Sequence, residues 1–120
     1  MWRWDQSAGT LSRNGQLISK GYSGSGRGWN NPVMQAVPAV GPVPRGRWTI
    51  GAPYDSPNTG PYTLALTPAP GTDTAGRSAF RIHGDNRLMN NTASHGCIIL
   101  PRPIRERIWR SGDTDLDVVE

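Results

Sequence analysis

The sequence predicts a mostly β protein of one domain with a single short helix near the C-terminus. Three observations carry that prediction. There are 15 glycines and 11 prolines in 120 residues, over a fifth of the chain, which favours short strands joined by many turns. The apolar residues alternate in short runs, as in Trp2/Trp4, Trp48/Ile50 and Tyr62/Leu64/Leu66. Helical spacing appears only after Pro101. A chain of this length holds one modest core, and no repeat, linker or composition shift divides it, so residues 1–120 read as one domain.

In order, Trp2-Arg3-Trp4 alternates, Asp5 to Gly9 reads as a turn, and Thr10-Leu11-Ser12 returns as a short strand. Asn14-Gly15 is the strongest hairpin signal, and Gln16 to Tyr22 follows as a strand. This antiparallel meander places Trp2 and Trp4 on one face. Ser23 to Gly28 is a Gly/Ser run expected outside the core, either a flexible loop or a backbone-lined part of a ligand site. Val33 to Val40 is ambiguous between a helical turn and an extended segment. Gly41 to Gly46 is a stiff turn leading into a strand at Arg47 to Gly51. Pro53 to Pro61 reads as a loop, Tyr62 to Leu66 as a strand, and Thr67 to Arg77 as a second loop. In Ser78 to His83, Phe80 and Ile82 form the apolar face, so Arg81 and His83 point to the other side. Gly84 to Ala93 is an Asn/Asp-rich loop. Pro101-Arg102-Pro103 opens the helix, Ile104 and Ile108 share its apolar face, Glu106 pairs with Arg110, and Ser111-Gly112 ends it. Leu116 to Val119 is the last strand.

The formal charge is +4, carried almost wholly by arginine, with Lys20 the single lysine. The arginines are scattered and form no basic helix or binding motif, which argues against a nucleic-acid partner. No run approaches the roughly 20 apolar residues that span a bilayer. Met1 to Asp5 lacks the charged and apolar regions of a signal peptide, so export is expected to use another route.

Chemistry concentrates in Ser94-His95-Gly96-Cys97. Cys97 is the only cysteine, so it forms no internal disulfide, and both histidines, His83 and His95, fall within fifteen residues of it. A lone thiol with imidazoles at hand is the requirement for a cysteine nucleophile. His83 can take the thiol proton, giving a thiolate–imidazolium pair, and later return it to a leaving amine. The Gly84 carbonyl and Asp85 are the local groups able to orient it, and sequence does not choose between them. His95 is the second base candidate. The backbone around Gly96 suits an oxyanion hole, with Ser94 holding the turn. His83, Asp85, His95 and Cys97 are also chemically acceptable zinc ligands, but their spacing fits no common zinc signature, and no metal or cofactor is expected.

His83-Gly84 followed by Ser94-His95-Gly96-Cys97 and a hydrophobic residue resembles the signature of the L,D-transpeptidase catalytic domain, the YkuD-like family. Gly41-Pro42-Val43-Pro44-Arg45-Gly46-Arg47-Trp48-Thr49-Ile50 is similar to that family's Pro-x-Gly-x-aromatic-x-Ile strand start. The whole chain, from Trp4-Asp5-Gln6-Ser7 to the last strand, is similar to the DUF2778 or Tlde1-like branch, which includes type VI secretion effectors that attack peptidoglycan. The resemblance implies a β-sandwich of mixed sheets with Cys97 at the mouth of a cleft. It implies that Cys97 attacks the carbonyl joining the L-centre of a diamino acid to D-Ala in a tetrapeptide stem. His83 is then the base, oriented by an adjacent backbone carbonyl, and His95 shapes the turn. Relatives carry Arg or Asn two residues after the cysteine where this chain has Ile99, so Arg81 and Arg102 are the candidates to replace that contact with a substrate carboxylate, the alternative for each being an ordinary solvated arginine.

The expected function is therefore cysteine-dependent acyl transfer on peptidoglycan stems, as L,D-carboxypeptidase or D-amino-acid exchange, in a secreted antibacterial toxin. Its expected partners are stem peptides, a cognate immunity protein and a secretion-system delivery component. The protein would be made in the cytoplasm and act in the periplasm of a target cell. Two alternatives are a non-catalytic peptidoglycan-binding module, using Trp/Tyr side chains and arginines, and a zinc-dependent peptidase.

Overall fold

The computed structural model describes residues 1–85 and 94–120; most of the expected Gly84 to Ala93 loop lies outside the described residues. Nine strands precede and follow one helix: β1 (Trp2–Asp5), β2 (Thr10–Arg13), β3 (Gln16–Lys20), β4 (Tyr22–Ser23), β5 (Gly46–Ser56), β6 (Gly60–Pro68), β7 (Arg81–His83), β8 (Ile98–Ile99), α1 (Arg102–Arg110) and β9 (Asp115–Val119). They form one mixed sheet in the order β3-β2-β1-β9-β5-β6-β7-β8-β4. The pairs β1·β9 and β7·β8 are parallel, and the remaining neighbours are antiparallel. The two edges of this sheet, β3 and β4, are separated in sequence by Gly21 alone. The sheet therefore rolls until its ends meet, and the sandwich-like layering comes from that rolling. Gly21 sits where a side chain would strike the Ile99 carbonyl, so only glycine permits the seam.

Alternation explains the core. Trp2 and Trp4 are fully buried while Arg3 between them is exposed. They join Leu11, Trp48, Ile50, Leu64, Ile82, Ile98, Leu116 and Val118 from both halves of the sheet in one cluster, which α1 caps with Ile108. At the first hairpin both Asn14 (φ 51°) and Gly15 (φ 82°) take the left-handed conformation, as a two-residue turn with the native strand twist requires. The helix forms as expected, with Pro103 in its first turn and Glu106 between Arg102 (3.9 Å) and Arg110 (3.8 Å). The acidic residues before and within β9 have arginine neighbours: Asp113 pairs with Arg13, and Asp117 lies near Arg3 and Arg47.

Two segments differ from the sequence reading. Pro53 to Pro61 is mostly strand, because β5 continues to Ser56 and β6 begins at Gly60. Proline is tolerated in β5 since β9 pairs only with Gly46 to Thr49, leaving Pro53 a free edge on that side. The Ser23 to Gly28 run is only partly outside the core, with Gly26 and Arg27 exposed. Ser23, Gly24 and Gly28 are buried, and Ser23 is strand-paired with Ile98. Small residues are required there because other backbone passes close by: a side chain on Gly28 would strike the Val40 carbonyl. The ambiguous Val33 to Val40 stretch follows a 3-10 turn at Pro32–Met34, capped by the Asn31 side chain.

Candidate active site

Parallel pairing of β7 with β8 brings His83 opposite Ile99 and Ile82 opposite Ile98, so the end of one strand delivers the histidine beside the turn that precedes the other. A cavity of about 810 Å³ opens there. Its described lining includes His83, Gly84, Asp85, His95, Cys97 and Arg105, with the Pro57 to Pro61 turn of the β5–β6 hairpin opposite. Ser56 Oγ accepts from the backbone N–H groups of Asn58 and Thr59 at 3.2 Å each, which holds that turn in shape.

The Ser94-His95-Gly96-Cys97 turn is built by two serines. Ser94 is fully buried; its Oγ donates to the Cys97 carbonyl (2.6 Å) and accepts from Gly24 N–H (2.9 Å) and Gly96 N–H (3.1 Å). Ser23 Oγ donates to the Gly96 carbonyl (3.0 Å) and accepts from Val43 N–H (2.8 Å). Gly96 has φ of 137°, and a methyl group on it would collide with the Arg77 guanidinium. Arg77 lies over the Phe80 ring (5.0 Å) and donates to the carbonyls of Gln35 (2.6 Å), Pro42 (2.9 Å), Gly41 (2.9 Å) and His95 (3.2 Å). One guanidinium thus ties the 35–42 segment to the turn. Gly96 N–H is thereby committed to Ser94 within the turn.

His83 is buried (4% exposed), and its Nδ1 lies 2.8 Å from the Gly84 carbonyl. That contact makes Nδ1 the protonated nitrogen and leaves Nε2 as the basic one. Asp85 is engaged elsewhere: its Oδ1 accepts from the Tyr22 hydroxyl at 2.7 Å. Of the two orienting groups, the geometry gives the carbonyl the direct contact and Asp85 a place in the cavity wall. Burial is the largest influence on the His83 imidazole and lowers its pKa; the Gly84 hydrogen bond opposes this, Arg105 and Arg81 reinforce it, and Asp85 opposes it. Cys97 is partly buried, and its thiol is 3.8 Å from the Ala79 carbonyl. Burial raises the thiol pKa, against a hydrogen bond from Arg81 N–H and the charges of Arg81 and Arg77. Burial thus works against both charged forms, raising the thiol pKa and lowering that of the imidazole.

The other sequence-selected residues divide. His95 is exposed, lines the cavity and has Nδ1 3.3 Å from the Ala39 carbonyl. Arg81 is half-buried; its backbone N–H and its charge both act on Cys97, but its side chain is not among those lining the cavity. Arg102 is exposed, stacks over Tyr62 at 5.5 Å and pairs with Glu106. Ile99 is buried in the sheet between Tyr22 and His83 and does not line the cavity. Sequence reasoning missed Arg105, Arg77, Tyr22 and Ser23. Arg105 had a visible signal: it stands at i−3 from Ile108 on the apolar side of α1, an odd place for an arginine. Among the described residues, no three His, Cys, Asp or Glu side chains come together to hold a metal ion. No helix there is long and apolar enough to cross a membrane.

Among curated proteins, none matches the chain. A family model, that of the Tlde1 domain, matches residues 18–118, a span that begins within β3, ends within β9 and contains every residue of the site. The chain belongs to the Tlde1 domain family, a family of type VI secretion effectors.

Proposed function

We propose that the protein is a cysteine acyl-transfer enzyme acting on peptidoglycan tetrapeptide stems, as an L,D-carboxypeptidase or by D-amino-acid exchange. It would be an antibacterial toxin delivered into the periplasm of a target cell, with a cognate immunity protein. The observation that carries this reading is the placing of Cys97 and His83 in one cavity, with His83 Nδ1 held by the Gly84 carbonyl. In the reaction, His83 Nε2 takes the thiol proton as Sγ attacks the carbonyl carbon that follows the L-centre of the diamino acid. The resulting oxyanion faces the backbone of the Ser94-His95-Gly96-Cys97 turn. Collapse breaks the C–N bond, the departing amine of D-Ala takes the proton from His83, and a thioester remains on Cys97. Water or a D-amino acid then attacks the thioester, losing a proton to His83, and the thiolate recovers that proton on release.

The test is mass spectrometry of purified tetrapeptide muropeptides incubated with the protein, with and without added D-amino acids. Loss of D-Ala, and its replacement when another D-amino acid is supplied, are the expected products; Cys97→Ala abolishes both. Unchanged toxicity of Cys97→Ala in the target periplasm would favour a binding module. Loss of D-Ala release on chelation would favour a metallopeptidase.

A further inference from the structure

We propose that Arg105 is the substrate-recognition residue of this cavity, binding a carboxylate of the stem peptide beside the scissile bond. The inference rests on the acyl-transfer reading above and names the group that Arg105 holds. The Arg105 side chain is 5% exposed and lines the cavity with His83, Gly84 and Cys97. Its Nη1 makes long contacts to the carbonyls of Pro61 (3.4 Å) and Tyr62 (3.3 Å), while its buried Nε has no partner. Among the described residues no carboxylate forms an ion pair with it. Glu106, its neighbour on α1, is shared by Arg102 and Arg110. A guanidinium withdrawn from water with only weak neutral acceptors is costly, and an incoming carboxylate answers it with a charge-assisted, two-pronged contact.

Position supports the same assignment. The Arg105 Nη2 atom lies 3.1 Å from where a side chain on Gly84 would begin, under the backbone that orients His83. A carboxylate held at Arg105 is thus beside the base and within the cavity that Cys97 enters. Asp85, the one carboxylate among the described lining residues, is engaged by the Tyr22 hydroxyl. The other arginines weighed for this role, Arg81 and Arg102, do not line the cavity, and Ile99 is buried in the sheet.

A stem offers two such carboxylates: that of the C-terminal D-residue, and the second carboxylate of the diamino acid. Three purified stems separate them: the parent tetrapeptide, its C-terminal carboxamide, and a stem whose diamino acid is lysine, which has no second carboxylate. Wild-type kcat/KM should fall about ten- to hundredfold on the stem lacking the carboxylate that Arg105 holds, mainly through KM. Arg105→Gln should turn over the three stems alike at the lower rate, and Arg105→Lys should keep part of the preference. Melting curves establish that the variants are folded; should Arg105→Gln not fold, the wild-type comparison and Arg105→Lys decide. Equal turnover of the three stems by wild type, or an unchanged preference in Arg105→Gln, overturns the assignment of Arg105 alone. Absence of turnover on every stem overturns the acyl-transfer reading and this inference with it.

Discussion

Replacing Ser94 by alanine tests whether the nucleophile turn is held by one buried hydroxyl. The substitution removes an acceptor for Gly24 N–H and Gly96 N–H, both in buried hydrogen bonds, and a donor to the part-buried Cys97 carbonyl. Each buried N–H left without a partner costs about 1–3 kcal/mol, whereas the Cys97 carbonyl can turn to water at the cavity, so the two donors together set a loss of about 2–6 kcal/mol. Against a domain stability of about 5–15 kcal/mol that is a large fraction. For a chain of this size it corresponds to a fall in Tm of about 8–24 °C. Activity should fall further than stability, because a shift of about 1 Å in a reacting group costs on the order of a hundredfold. Differential scanning calorimetry and D-Ala release measure the two effects. Ser19→Ala is the control: its hydroxyl donates only to the exposed Lys20 carbonyl, and the expected change is within about 0.5 kcal/mol. A Ser94→Ala protein that melts within about 2 °C of wild type and keeps full activity would show that the reasoning about the turn is wrong.

The remaining predictions concern protons. With His83 as the proposed base and its pKa lowered, the acid limb of kcat/KM should lie below the ordinary imidazole value of 6.5, and Arg105→Gln should move it upward by removing a positive neighbour. A limb at or above 6.5 would contradict this. For stability the sign is that of a native pKa below the unfolded one. The contribution of His83 is complete above pH 6.5 and is lost as the pH falls from there through the native value, because the unfolded chain binds the proton first. Chemical denaturation across that window should show the decline, and His83→Gln should flatten it. The Cys97 thiol, raised mainly by burial, should be alkylated by iodoacetamide slowly at pH 7, the rate rising through a pKa above the ordinary thiol value. Arg77→Gln should push that pKa higher still; fast alkylation at neutral pH would refute a resting thiol.

Much of the site was legible in the sequence because local chemistry marks it. A single cysteine beside glycine and two histidines picked out side chains that line one cavity, and alternation at Phe80 and Ile82 put His83 at a strand end. Alternation likewise placed Trp2 and Trp4 inside, Asn14-Gly15 marked the first hairpin, and the proline-flanked helical stripe located α1. These features depend on side-chain period and backbone preference, which neighbours in sequence share. The Ser23 to Gly28 run was misread for the opposite reason. Its small residues reflect close passage of the Val40 backbone and pairing with β8, contacts made across 12 and 75 residues of chain.

What the sequence by itself determined is the chemical inventory: a mostly β chain, one thiol, two imidazoles and a glycine turn to hold them. Only the tertiary structure decided how those groups are used. The rolled sheet places Gly21 at the seam and so brings Ser23 and Gly24 under the Cys97 turn, where Ser94 and Arg77 lock it. The same closure desolvates Cys97 and His83, shifting their pKa values in opposite directions. It also turns Arg105, a helix residue remote from the motif, into the buried cation of the cavity. Burial and charge proximity belong to the folded chain, and no local pattern encodes them.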